Sequence, residues 1–555
     1  MRRILTWPVF VGAAVLLIGI AFFALHHPVP PPPNPPNPNP VSPVPHEESS
    51  PKPSLSESTP AYSPSGPIVL GGGGNLSELI ANAKPGGSVT IPAGIYPGGL
   101  VIDRPLHIVG DPRASGQVVI QSEGKECLSV RSKGVTVQNV QFWCKAIGDL
   151  PAVSVADGAE LEMEGCKIQS GSRLGLSVSG NASLKTLGST FTTTKGWAVL
   201  VKQQSHASFT QSSFSDAQIG LAVGSGASAE LHSCAFEGLG IGDKTGAIML
   251  IIGEKSQVTG DDCHVTNNAV GIGVREKASL TLTNCTFKGN PTENVGLIVL
   301  REAQANIRGS TLVDSSPYAI NVMSGATLTL DDTEISGSRA GGLLVGERNA
   351  SPAHAKVRNS RFNRNALGIG IVAGSSVEIE DSECSENNEG IIVFEQGSRL
   401  QLKKTALASN RDHGLQVYAN AEATVTDSDI RNNARGALSG VPHKASQRAA
   451  LKLEDCRMGG NQVFGVGACA QSQLILTRCS FAEDTKKNIY RESGAIVQTD
   501  AAPELTPASE EATATPRPNS TAKTKSSSRR TTTTKQRRPE EDISRVIRSL
   551  VLPPP

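Results

Sequence analysis

Gly271-Ile272-Gly273-Val274, a polar turn, then Leu280-Thr281-Leu282-Thr283-Asn284-Cys285-Thr286-Phe287: this stretch decides the fold, because copies of it recur along the chain. Another copy reads Gly368-Ile369-Gly370-Ile371 with Val377-Glu378-Ile379-Glu380-Asp381-Ser382. Each unit is a small residue, three strand residues ending in Val or similar, a polar turn, and an apolar-x-apolar-x-x-small-x-apolar run. The starting residues are Gly175, Ala198, Gly220, Ala247, Gly271, Gly296, Ala319, Gly342, Gly368, Gly390, Gly414, Gly436 and Gly465, in steps of 22 to 29 residues. Two short period-2 strands cannot close a core alone, so the units must stack, and the pattern predicts a parallel β-helix running from Ala152 to about Tyr490.

The small position of the second strand sharpens that reading. In successive units it is Cys166, Ser189, Ser212, Cys234, Cys263, Cys285, Ser310, Thr333, Ser360, Ser382, Thr405, Ser428, Cys456 and Cys479. Only Cys, Ser and Thr occur, which predicts a column of small inward side chains about 4.8 Å apart. Six of the ten cysteines are thereby explained by packing, without disulfides. Cys127, Cys144, Cys384 and Cys469 fall outside the column, and a Cys127 to Cys144 bridge stays open.

Asn precedes many units, at Asn267-Asn268, Asn365, Asn387-Asn388, Asn410, Asn432-Asn433 and Asn461. Asn tolerates left-handed turn geometry and can hydrogen-bond along a stack. In these N-x-x-G-[IL]-x-[VI] rungs, from about Ser88 to Tyr490, the sequence resembles the right-handed parallel β-helix proteins of the pectin-lyase-like group. The segment from Pro85 to Tyr96 is similar to that group's first rung. Just before it, Asn75 with Glu78 forms a capping-box-like start, and Leu76, Leu79, Ile80 and Ala83 make one apolar face, so a helix is expected to plug the N-terminal end. An uncovered terminal rung would offer a bare strand edge for aggregation.

A second periodicity overlies the first. The residue between the inward positions of the first strand reads Leu200, Ala222, Met249, Gly273, Ile298, Asn321, Leu344, Gly370, Ile392 and Gln416. Large apolar residues alternate with small or polar ones, which predicts outward knobs about 10 Å apart. Leu200, Met249, Ile298, Leu344 and Ile392 are therefore the candidate binding ridge, covered by the protein's own tail or used to hold a partner.

The two ends read differently. Arg2 and Arg3 precede an apolar run from Ile4 to Leu25, long enough to span about 30 Å of hydrocarbon. A cleaved signal peptide would need a small-x-small site, and Phe22-Phe23-Ala24 supplies a bulky residue instead. Residues 1–27 are thus expected to be a cytoplasmic end and single-pass anchor, with the rest exported. Residues 28–67 form a proline-rich stalk and 68–498 the β-helix with its capping helix. Residues 499–539 are a Ser/Thr/basic tail with little to bury, expected to be disordered. Within 540–555, Ile543, Val546, Ile547, Leu550 and Val551 fall at helical spacing. The expected fold is all-β: a right-handed parallel β-helix solenoid with an N-terminal transmembrane helix and disordered ends.

The 555 residues carry 52 basic and 51 acidic side chains, a formal net charge of +1, which removes the electrostatic case for a nucleic-acid partner. Aromatic residues are only 4%, leaving few stacking platforms for sugars, with Tyr318 and Tyr418 expected to be exposed. The resemblance implies a possible polysaccharide lyase, hydrolase or epimerase. Gly260-Asp261-Asp262-Cys263 and Asp412-His413-Gly414 are similar to the Asp-Asp and Gly-His-Gly motifs of polygalacturonase-like hydrolases. They belong to rungs six steps apart, roughly 29 Å at about 4.8 Å per rung, so they cannot flank one bond. Asp331, Arg358, Glu380 and Lys403, at equivalent positions in consecutive rungs, read as a ladder of ion pairs. Calcium would be expected only for a lyase, and no other cofactor is indicated. The sequence therefore favours a membrane-tethered extracytoplasmic β-helix acting as a binding or structural surface in the cell envelope, for a glycan or an envelope protein. A carbohydrate-active enzyme is the alternative.

Overall fold

Successive short strands of this chain each find their hydrogen-bond partner one repeat later, so the sheets are parallel throughout the described residues. The computed structural model describes residues 68–69, 75–111, 116–145, 148–193, 196–240, 247–269, 271–289, 296–444, 448–482 and 487–500. The expected anchor, stalk, basic tail from residue 501 and C-terminal helix lie outside them. Among the described residues no helix is long and apolar enough to cross a membrane.

One rung shows the construction. Leu367–Ile371 belongs to a sheet we call C, Ser376–Glu380 to sheet A and Glu383–Ser385 to sheet B, after which Glu389–Phe394 returns to sheet C. Sheet A has 19 strands. Alternation sets the facing: Val377 and Ile379 point into the coil and Glu378 points out. Asp381 then takes a left-handed conformation, φ 49°, to turn the chain between sheets A and B. Asn284, Asp332, Asn359 and Asp427 do the same in other rungs, which is why Asn and Asp recur just before the Cys/Ser/Thr position.

That position does more than pack. Ser360 Oγ donates to Arg358 O at 2.6 Å and accepts from the Thr333 backbone N–H at 3.1 Å. Ser382, Thr405 and Ser428 repeat this two-sided bond one rung at a time. A hydroxyl ladder thus satisfies backbone groups left over at the tight A–B corner. Cys sits in the same place with a weaker bond, as Cys285 Sγ does to Thr283 O at 3.2 Å. All ten cysteines are free, and Cys127 hydrogen-bonds Ser122 rather than bridging to Cys144. Ser360→Ala should leave the buried Thr333 N–H without its acceptor and cost about 1–3 kcal/mol. Ser360→Cys should cost less, and comparing the two by urea unfolding checks whether the ladder or mere volume matters.

Phe191, Phe214 and Phe236 stack through successive strands of sheet B, the last pair at 4.5 Å and nearly parallel, filling the coil with rings. At the N-terminal end the helix Leu76–Asn82 closes the core with Leu76 and Ile80. Asn75 caps it, its side chain accepting from the Ser77 N–H at 3.0 Å and donating to Glu78 at 3.2 Å.

Candidate functional site

Sheet A presents its outer face as rows of charged and hydroxyl side chains, because every second residue of each five-residue strand must point away from the apolar interior. Asp331, Arg358, Glu380 and Lys403 stand in register in four consecutive rungs. Arg358 reaches Glu380 at 3.8 Å and Lys403 reaches it at 3.1 Å, while Arg308 meets Asp331 at 3.5 Å from the rung before. The hydrogen bond from Lys403, with its charge, holds the Glu380 carboxyl below its ordinary pKa. A parallel row pairs Lys356 with Glu378 at 3.3 Å. Two carboxylates set among cations in this column fall far short of the six to eight oxygen ligands that calcium takes.

Two shallow clefts lie on this face. One, of about 370 Å³, is bordered by Lys356, Arg358, Glu378, Glu380, Gln401 and Lys403. The other, of about 490 Å³, is bordered by His107, Thr136, Gln138, Glu162, Lys185 and Thr210.

Sheet C is different, and here the structure corrects the expected ridge. Ala222 pairs with Leu250, not Met249, and Leu250 pairs with Gly273. Met249 points inward and is 0% exposed, so it leaves the ridge and Leu250 takes its place. The slip comes from the rung start: Ile248, not the small Ala247, occupies the column between Gly220 and Gly271, which have no side chain to resist it. Nor are the remaining members free knobs. Leu200, Ile298 and Leu344 are half-buried and Ile392 is 2% exposed. The alternation itself explains this, since a Cβ on Gly370 would lie 3.1 Å from the Leu344 side chain and one on Gly273 would lie 3.3 Å from Leu250. The large residues lie down over the glycines of adjoining rungs. Tyr318, 3% exposed, and Tyr418, packed on Phe394 at 4.7 Å, are buried as well and form no exposed platform.

The two Asp motifs stay apart, as their spacing requires. Asp261 ends a sheet A strand and faces His232 at 3.2 Å, and Asp262 accepts from Ser233. His413 opens a sheet C strand with Asp412 just before it, and here the structure adds two residues that the sequence reading missed. Glu389 lies one rung before His413 and Arg435 one rung after it. All three immediately precede a rung-start glycine, Gly390, Gly414 or Gly436, and that shared position was the available signal.

His413 Nδ1 lies 3.3 Å from Glu389 Oε2 and 3.4 Å from Asp412 Oδ1, and Arg435 contacts that same Asp412 oxygen. The His413 backbone N–H also donates to Glu389 at 3.3 Å. Burial works against a charged imidazole, but the Glu389 hydrogen bond and charge, with the charge of Asp412, outweigh it and raise the His413 pKa. Leu367 and Phe464, both buried, close the column at either end. Among the described residues Glu389, Asp412 and His413 are the group of nitrogen and oxygen donors close enough to share an ion.

The right handed beta helix region family matches residues 151–303, 197–345 and 295–446 of this chain. The chain is similar in structure to tailspike protein 3 of bacteriophage CBA120, at 11% identity over 78% of this chain and 60% of that one, with a TM-score of 0.24. It is similar to the periplasmic alginate epimerase AlgG, at 11% identity over 79% and 84%, TM-score 0.23. It is also similar to the A-module of the Azotobacter vinelandii mannuronan C-5 epimerase AlgE6, at 11% identity over 77% and 94%, TM-score 0.23. The chain therefore spans less than two thirds of the tailspike's length. No curated protein matches it.

Proposed function

Because the chain belongs to the right handed beta helix region family, its sheet faces are the surfaces it offers to other molecules, and we propose that it is a glycan-binding surface protein held at a membrane. The reading rests above all on the outer face of sheet A, where hydroxyl, amide and paired charged side chains repeat every rung and border both shallow clefts. A repeat of about 4.8 Å along a rigid face suits a linear polymer of short repeat. The charges there are mutually paired, so the face has many donors and acceptors and little net charge, which suits a neutral polyhydroxylated chain better than a strongly charged one. Arg2, Arg3 and the apolar run from Ile4 to Leu25 support a single-pass anchor with the N-terminus cytoplasmic and the β-helix extracytoplasmic, carried on the stalk of residues 28–67. A protein partner on the sheet C column of Leu200, Leu250, Ile298 and Leu344 is the lesser candidate, because those side chains already cover their neighbours.

Co-sedimentation with insoluble neutral polysaccharides tests the reading. Gln401→Ala with Lys403→Ala should weaken retention by about tenfold, the effect of losing about 1.4 kcal/mol, without changing the melting temperature. Retention unchanged in this double variant would remove sheet A as the binding face. A hydrolase, lyase or epimerase is the second reading, favoured by the buried pairing of His413 with Glu389 and Asp412. New reducing ends or unsaturated products in the same incubation would establish it in place of simple binding.

A further inference from the structure

We propose that Glu389, Asp412 and His413 bind a tetrahedral divalent transition-metal ion of the zinc class. One donor atom from each residue lies within 4.8 Å of the others, with His413 Nδ1 at 3.3 Å from Glu389 Oε2 and 3.4 Å from Asp412 Oδ1. Two ligands placed about 2.0–2.1 Å from zinc at a tetrahedral angle stand about 3.3–3.4 Å apart. Both nitrogen-to-oxygen separations are thus already those of tetrahedron edges. An imidazole donor and only three protein ligands argue against calcium, which takes six to eight oxygens.

The surroundings are those of a built site. The Glu389 and His413 side chains are 8% and 9% exposed, and Leu367 and Phe464 wall the column at its ends. Asp412 is one-third exposed and forms the solvent side, where water or a ligand atom completes the tetrahedron. Arg435 donates to the same Asp412 oxygen, Oδ1, that faces His413 and so fixes the carboxylate, whose remaining lone pairs stay available to the ion. The site is on sheet C, away from the sheet A clefts, so it stands or falls independently of glycan binding there.

The test uses the full chain, purified in detergent, freed of metal and titrated with Zn²⁺ by calorimetry and with Co²⁺ by visible absorption. The expected result is one equivalent bound, with the intense d–d bands of tetrahedral nitrogen and oxygen ligation. A Zn²⁺-dependent rise in melting temperature should accompany it. Asp412→Asn and Glu389→Gln, checked for folding by circular dichroism, should each lose affinity by about 100-fold or more, at or beyond the loss typical of outer-shell partners. Absence of binding, an octahedral cobalt spectrum, or binding equal in the variants would overturn the proposal. So would a sulfur-to-cobalt charge-transfer band, which would place the ion on the cysteines.

Discussion

Gly436→Ala is expected to be among the most damaging single substitutions in the coil. A Cβ at Gly436 would stand 1.9 Å from the carbonyl oxygen of Gly465 and 2.9 Å from its carbon, both backbone atoms that cannot swing aside. Gly271 and Gly390 face the same obstacle, with the next rung's carbonyl oxygen at 2.0 and 2.2 Å. At these three glycines the chain presses against the following rung, so relief requires the two rungs to separate and their parallel hydrogen bonds to stretch. We expect a loss of about 3 kcal/mol or more, the upper range for overpacking. Because a solenoid opens locally, the loss should concentrate near the rungs of His413 to Tyr490 and be read by amide hydrogen exchange as well as by melting. Gly224→Ala is the control, since its Cβ would meet Ile252 O at an ordinary 3.5 Å. Equal melting and exchange in the two variants would refute the close approach.

The second large effect is expected at Asn410. Its side-chain oxygen accepts from both the backbone N–H and the side-chain amide of Asn387, at 3.0 and 3.1 Å. Its own amide donates to Cys384 O at 3.1 Å and to the Asn433 side chain at 2.9 Å. Asn365, Asn387, Asn433 and Asn461 continue the ladder, all of them buried. Asn410→Ala strands the Asn387 N–H and the Cys384 carbonyl where water cannot reach, at about 1–3 kcal/mol each. The expected total is about 2–6 kcal/mol, and Asn410→Asp should also destabilise because it places an unpaired charge in the interior. Asn388→Ala, at an exposed neighbour, should stay within about 0.5 kcal/mol. Urea unfolding of the three variants beside wild type would contradict the ladder if Asn410→Ala and Asn388→Ala behaved alike.

These two positions also mark how far the sequence could be read. Both lie in motifs visible without a structure, the rung-start glycine and the Asn turn. The sequence did not say which member of an Asn pair goes inside. Asn268, Asn387 and Asn433 are buried, while Asn267, Asn388 and Asn432 are exposed, and at Asn267 and Asn432 the outer residue takes the left-handed turn. Nor did it reveal that the Cys/Ser/Thr column is a hydrogen-bonded ladder, since the acceptor each hydroxyl supplies is used by a backbone N–H a full rung away. The candidate site was half legible: Asp412 and His413 stood out as a motif, whereas Glu389 and Arg435 did not.

What the sequence by itself determined is the repeat, the alternation of inward and outward residues and the ion-pair column from Asp331 to Lys403. Each depends on neighbours within one strand or on a spacing that recurs in every rung, so local pattern carries it. Only the tertiary structure decided the register at Ile248 and, with it, the burial of Met249 and the substitution of Leu250 on the outer face. A one-residue shift reverses every side chain of a strand, and where Gly220 and Gly271 make room, a large residue can take the place a small one was expected to hold. The same holds for the pairing of His413 with Glu389, residues from different rungs that share a site because parallel strands set equivalent positions side by side.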